Sequence, residues 1–117
     1  MADFNVTSRE VGSVNVIELK GYLDAHTAPE LETEFNRLIN DNHFKIVVNF
    51  NDLKYISSAG LGVFMAYVET MRENRGDIKF SNLKEDVFNI FDLLGFPVLY
   101  EFFKEEKEAI DKYSEEK

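Results

Sequence analysis

The run Lys45-Ile-Val-Val-Asn-Phe50 constrains the fold of this chain more than any other feature. Its β-branched residues are nearly continuous, so a strand built from them needs cover on both faces. The flanking segments can supply that cover. Upstream, Thr27-Ala-Pro-Glu30 places a threonine at a helix cap, proline in the first turn and glutamate three residues after the cap. Leu31, Phe35, Leu38 and Ile39 then recur at helical spacing up to about Asp41-Asn42. Downstream, a loop is expected after Asn51-Asp52. From about Ser58, Leu61, Phe64, Met65, Val68 and Met71 mark one face of a second helix. Asn74-Arg75-Gly76 closes it, with Gly76 expected as the left-handed cap.

The remaining segments extend this alternation. Asn5–Glu10 and Ser13–Leu19 are β-prone and joined through Val11-Gly12, which predicts an opening hairpin, with a second turn at Lys20-Gly21. Asp77–Phe80 reads as a strand. Asn82-x-x-Glu85 repeats the capping pattern ahead of the stripe Val87, Ile90, Phe91 and Leu94, and Gly95 supplies a stop. Pro97–Phe103 is expected to be a short strand running into a last helix, with Ala109, Ile110 and Tyr113 facing inward. The order is ββαβαβαβα: an α/β chain with a mixed sheet, an N-terminal hairpin, parallel strands after it and about four α-helices. A single domain is expected over 1–117, with a core at about 4–103 and the C-terminal helix at about 104–114. Short right-handed crossovers place the start of the second helix at the carboxyl end of a central strand, where α/β sheets keep their binding sites.

Charge and composition narrow the function. With 13 Lys+Arg against 22 Asp+Glu, the formal net charge is -9, the wrong sign for holding nucleic-acid phosphates or an anionic membrane surface. Cysteine is absent, which removes disulfides, thiolate catalysis and cysteine-bound zinc and suits a reducing cytosol. The opening Met-Ala-Asp-Phe-Asn-Val has neither a basic region nor an apolar stretch, so no signal peptide is expected. Val63–Val68 falls far short of the roughly 20 apolar residues of a bilayer span. A soluble cytoplasmic protein is the expectation.

Chemistry concentrates in Asp52-Leu-Lys-Tyr-Ile-Ser57-Ser58-Ala59-Gly60-Leu61-Gly62-Val63. One serine suffices to cap a helix, where it contributes about 1 kcal/mol, and glycines permit close packing on the sheet. Two early-helix glycines nevertheless each cost up to about 1 kcal/mol relative to alanine. The excess suggests a surface kept small for a partner. The free N–H groups and positive dipole end of a helix N-terminus also tolerate a phosphate carried there, so either serine can serve as a phosphoacceptor.

Other assignments have less behind them. Gly60-Leu-Gly62 lacks the lysine and hydroxyl ending of a Walker A loop and the third glycine of a dinucleotide fingerprint. Asp24, His26 and Ser58 lack the Gly-x-Ser-x-Gly elbow of a hydrolase. Asp24 reads as a turn carboxylate or a partner contact, and His26 and His43 as solvated polar residues. Phe96, Tyr100, Phe102 and Phe103 read mainly as core.

The serine loop, together with Gly21-Tyr-Leu-Asp-Ala-His-Thr-Ala-Pro-Glu-Leu-Glu32, resembles the bacterial STAS-domain anti-sigma factor antagonists. That family's signature is Asp-Ser-Ser/Thr-Gly-Leu-Gly entering a helix after a hydrophobic strand, with a Gly-x-Leu-Asp turn upstream. The resemblance runs from about residue 4 to beyond residue 100. Matching the Gly-Leu-Gly end sets Ser57 where the family has aspartate, Ser58 on the phosphorylated serine and Ala59 on the second hydroxyl. Ser58 is therefore the expected acceptor and Ser57 the alternative, and Asp24 falls on the upstream aspartate.

The resemblance implies a STAS-like fold and a non-enzymatic switch. The unmodified protein binds an anti-sigma factor that is also a serine kinase and releases a sigma factor; phosphorylation ends the binding and a serine phosphatase resets it. No cofactor or metal is expected. Asp24, Ser57, Ser58, Ala59, Gly60, Leu61 and Gly62 are the expected partner-binding residues, with Phe64, Met65 and Val68 facing the sheet. The alternatives are a constitutive scaffold of the same fold and a small nucleotide-binding protein.

Overall fold

A computed structural model describes residues 3–116. Five strands, β1 (Phe4–Val11), β2 (Val14–Leu23), β3 (Lys45–Ile56), β4 (Asp77–Ser81) and β5 (Phe102–Phe103), form one sheet in sequence order. β1 and β2 are antiparallel and every later pairing is parallel. The helices are α1 (Ala28–Asn40), α2 (Ser58–Glu73), α3 (Glu85–Leu93), the four-residue α4 (Phe96–Leu99) and α5 (Glu106–Glu115). The expected mixed sheet and opening hairpin are present, with one short helix more than the sequence suggested.

As the continuous apolar run of β3 requires, both faces of the sheet are covered. On one face α1, α2 and α3 bury Leu31, Phe35, Leu38, Phe64, Met71 and Phe91 against Ile46, Val48 and Phe50. At its centre the rings of Phe50, Phe64 and Phe91 stand 5.4, 5.2 and 5.3 Å from that of Phe80. On the other face α5 covers a smaller cluster of Val14, Val16 and Val47 with Ala109 and Tyr113. The buried Tyr113 hydroxyl accepts from Ile46 N (3.1 Å) and faces the carbonyls of Ile46 (2.7 Å) and Asp77 (2.8 Å). Burial, with Asp77 nearby, pushes that phenol far above its ordinary range.

Several local expectations are corrected. No turn interrupts β2 at Lys20-Gly21; the strand continues to Leu23, with Gly21 at φ +93°, where a Cβ would lie 2.0 Å from Asp3 O. Nor does β3 end at Phe50. Two irregularities in the β2–β3 ladder, between Glu18 and Lys20 and between Gly21 and Tyr22, absorb extra β3 residues, so Asn51-Asp52 stays within the strand. The hairpin turns on Gly12-Ser13 rather than Val11-Gly12. Beyond α2 it is Arg75 that is left-handed (φ +67°). Gly76 serves instead to let Phe44 O approach, 1.8 Å from where its Cβ would stand.

Two capping boxes are also not formed. The Thr27 hydroxyl makes no cap bond and turns to Tyr22 O (2.8 Å). Asn82 is left-handed (φ +59°), its N–H bonds Phe103 O (3.2 Å), and α3 starts at Glu85 with Lys84 as cap residue. The box that does form, between Glu105 and Glu108, opens α5. The expected strand 97–103 is instead α4 followed by the two-residue β5, because Phe96 turns in to pack 5.1 Å from Phe91 and 5.0 Å from Tyr100.

α5 is clasped at its start by Glu106, which accepts from Arg9 Nη2 (2.6 and 2.5 Å) and Asn49 Nδ2 (3.0 Å). Burial alone would lift the Glu106 carboxyl, but Arg9 and Asn49 outweigh it and hold the group below its ordinary value. A depressed carboxylate contributes stability above its unfolded value, about pH 4.3, and loses it as pH falls through the folded one. Urea midpoints followed from pH 7 to pH 3.5 should therefore fall less in Glu106→Gln than in the wild type. Parallel losses in the two proteins would dismiss the clasp as a source of acid sensitivity.

Candidate functional site

β2 and β3 run on together past the rest of the sheet, to the pair Leu23 and Ile56. Ser57 N bonds Leu23 O (2.9 Å), so the chain entering α2 is tied to the chain leaving β2. The two motifs therefore meet at one rim, at the carboxyl ends of central parallel strands.

Asp24 organises one half of this rim. Its Oδ1 accepts from the backbone N–H of His26 (2.9 Å) and Thr27 (3.1 Å), and its carbonyl from Ala28 N (2.8 Å). The Asp24 N–H in turn bonds the Thr27 hydroxyl (2.9 Å). This is the turn-carboxylate role, and it fixes the entry to α1 in place of a threonine cap. Among the described residues Oδ2 makes no hydrogen bond and remains for other contacts. His26 is exposed and meets Asp24 only through its backbone N–H, and neither its imidazole nor the Ser58 hydroxyl bonds the Asp24 carboxylate, so no triad is assembled. His43 lies in the turn before β3, away from this rim.

In the other half the two serines differ. Ser57 is the α2 N-cap, in extended backbone (φ -99°, ψ 172°), and its Oγ accepts from Gly60 N (3.3 Å). Ser58 is the first residue of α2; it and Ala59 are exposed, with no hydrogen bond to the Ser58 hydroxyl among the described residues. Around them lie the first-turn N–H groups of the helix and the positive end of its dipole.

The two glycines differ as well. A Cβ on Gly60 would stand 2.7 Å from Leu23 Cγ and 3.1 Å from Ile56 Cγ1, so its bareness lets α2 sit down on the strand ends. At Gly62 nothing lies within 4 Å, and that bareness shapes the outer surface. Gly60 and Leu61 are buried, the latter 3% exposed, so they support the surface from beneath.

Met65 does not face the sheet as the helical stripe suggested; it is 57% exposed. With Ser58, Gly62, Leu94, Phe96 and Leu99 it lines an apolar depression of about 320 Å³, floored by Leu61. Leu93, Leu94, Val98 and Leu99 are also exposed, so α3 and α4 carry an apolar flank up to Ser58. Sequence reasoning missed this flank, because Leu94 reads as a stripe residue and Val98 and Leu99 as strand. A roomier depression of about 430 Å³ lies against β5, between Phe88 and Phe103, away from both motifs. The smaller one matters more here because it shares Ser58. Among the described residues no group of three or more His, Asp or Glu gathers as metal ligands, and no helix is long and apolar enough to cross a membrane.

The STAS domain family matches residues 5–109. BtrV of Bordetella bronchiseptica is 28% identical over 91 residues, 78% of each chain. The anti-sigma-B factor antagonist of Staphylococcus aureus is 27% identical over 79 residues, 68% of this chain and 73% of its own. Among solved structures, the anti-sigma factor antagonist SpoIIAA in its unphosphorylated form superposes with TM-score 0.80 at 24% identity, covering 92% of this chain and 95% of its own. The phosphorylated form of SpoIIAA, from Bacillus, gives 0.71 at 22%, covering 94% and 98%.

Proposed function

Since this chain belongs to the STAS domain family, we propose that it is a cytoplasmic, non-enzymatic anti-sigma factor antagonist switched by phosphorylation of Ser58. In the unmodified state the rim and its apolar flank dock on an anti-sigma factor that is also a serine kinase, and a sigma factor is released. A serine phosphatase restores the docking form. One observation carries the choice of serine: the Ser57 hydroxyl is engaged as the cap of α2, while that of Ser58 is exposed beside the apolar depression. The names of the Staphylococcus relative and of the two SpoIIAA structures support the class of function.

The physics of the switch follows from that position. A phosphoserine adds about -1.5 to -2 charges and needs hydrogen-bond donors. The N-terminus of α2 offers them in the free protein, so the fold can tolerate the group. A partner seated over Met65, Leu94 and Leu99 would have to strip water from the phosphate, and each 1.4 kcal/mol of that cost is tenfold in affinity.

Phosphopeptide mass spectrometry of the protein from its native cells, with fragmentation separating Ser57 from Ser58, tests the assignment. Phosphate is expected on Ser58, absent in Ser58→Ala and retained in Ser57→Ala, which loses only the cap, about 1 kcal/mol. Ser58→Ala should keep partner capture, and Ser58→Asp should weaken it about tenfold or more. Full phosphorylation of Ser58→Ala would refute the site; an unmodified chain across growth conditions would favour the constitutive scaffold.

A further inference from the structure

The two edges of the sheet are unequal. β5 offers two residues, whereas β1 is eight residues long, is paired on one side only, and shows no register shift against β2. Tyr22 N bonds Asp3 O (2.8 Å), and Asp3 falls opposite Tyr22 in the register that continues through β1. Hydrogen-bonded positions alternate along an antiparallel ladder, so Asn5, Thr7, Arg9 and Val11 bond inward to β2. The N–H and C=O groups of Phe4, Val6, Ser8 and Glu10 then point away from the sheet, and among the described residues none of them is paired.

Proteins ordinarily blunt such an edge with charged side chains, lysine above all, or with proline, a bulge or extreme shortness. Phe-Asn-Val-Thr-Ser-Arg-Glu-Val carries two charges, Arg9 and Glu10, at its far end, but it has no lysine, proline or bulge and is not short. Its one cation, Arg9, is drawn to Glu106 and Glu18, and the Ser8 hydroxyl to Glu34 and Arg37. We propose that β1 is a self-association edge, pairing antiparallel with the β1 of a second copy about a two-fold axis at Thr7.

Self-complementarity selects a second copy as the occupant. With Thr7 opposite Thr7, Val6 faces Ser8, Asn5 faces Arg9 and Phe4 faces Glu10, and no like charges meet. All four outward-pointing residues of each copy find partners, giving about eight hydrogen bonds. Arg37 and Glu34 flank the edge on the α1 side as an ion pair (2.6 Å), so neither presents an uncompensated charge there. Pairing consumes the only long edge among the described residues, so assembly stops at two. The charge of -9 on each copy opposes it, and added salt should strengthen it.

Sedimentation over rising concentration should show a monomer–dimer equilibrium with a midpoint on the order of 0.1 mM, tighter in 0.5 M than in 0.1 M salt. In hydrogen exchange, the amides of Val6 and Ser8 should gain protection with concentration while that of Thr7, already bonded to β2, should not change. Thr7→Lys tests the axis: it sets two cations face to face in the dimer, yet within one copy the new side chain stands opposite Glu18, which preserves the fold. At least tenfold weaker association of that variant supports the pairing. A chain still monomeric at about 1 mM in high salt, growth beyond two copies, or a dimer that ignores Thr7→Lys would overturn it.

Discussion

Gly76→Ala should remove much of the stability of this domain. A Cβ at Gly76 would lie 1.8 Å from Phe44 O, 2.3 Å from Phe44 C and 2.7 Å from Phe44 Cβ. The first two are backbone atoms and cannot swing aside. Phe44 O also accepts from Asp77 N (3.0 Å), and Asp77 stands opposite Lys45 at the start of the β3–β4 ladder. Relieving the clash therefore means parting β4 from β3 beneath the aromatic cluster. Overpacking costs about 1–3 kcal/mol, and the upper end applies where the obstructing atoms are backbone, about 3 kcal/mol or roughly 10 °C in Tm for a domain of this size. Arg75→Gly is the control. It places glycine at the left-handed position itself and should leave Tm within a few degrees, about 1 kcal/mol either way. A Gly76→Ala protein melting like the wild type would show that the Phe44 carbonyl can move.

Lys79→Met should have the next largest effect. The Lys79 side chain is fully buried in β4. Its ammonium meets Asp77 (3.4 Å), Glu116 (3.2 Å) and Glu101, and sits 4.7 Å from the centre of the Tyr113 ring. Burial pulls its pKa down, but Glu101, Glu116 and Asp77 outweigh this and hold it above the ordinary lysine value. A raised lysine contributes its stability fully below the unfolded pKa and loses it as pH rises through the folded one, so wild-type stability should fall in the alkaline range.

Methionine keeps the stem on Tyr113 and removes the charge, leaving three carboxylates facing one another. Breaking a buried ion pair from one side costs about 3–5 kcal/mol. The lower end applies here, because Glu101 and Glu116 are 42% exposed and can turn to water. Below about pH 4 the carboxylates take up protons and the gap between variant and wild type should close. Urea titrations at pH 7 and pH 4 measure it; an equal gap at both values would mean that packing alone accounts for the loss.

What the sequence made legible was the part governed by local pattern. The β-branched run gave β3, the apolar stripes gave α1, α2 and α3, and the serine loop with its Gly-Leu-Gly end gave the rim. What escaped was decided by contacts distant in sequence. A loop is expected after Asn51-Asp52, but pairing with β2 carries the strand on to Ile56. Thr27 reads as a cap, but its hydroxyl turns back to Tyr22 O, while Asp24 takes the N–H groups of His26 and Thr27 ahead of the helix. Nothing in the strand pattern Asp77–Phe80 marks Lys79 as buried; Glu101, Glu116 and Tyr113, which surround its ammonium, come from the C-terminal segment. At the site, the hydroxyl pair was visible but its division into cap and free group was not. Nor was the apolar flank, since Met65, Leu94 and Leu99 meet only after α4 turns.

The twin extension of β2 and β3 has a consequence for timing. Leu23 and Ile56 are ladder partners, and Ser57 N is fastened to Leu23 O. The rim therefore arrives already shaped, and few torsions need freezing when another molecule lands on it. Encounters between such preformed surfaces are governed by diffusion and charge, without a slow folding step at contact. A switch built on this rim would answer as fast as its phosphate is added or removed, with the enzymes that handle the phosphate setting its clock.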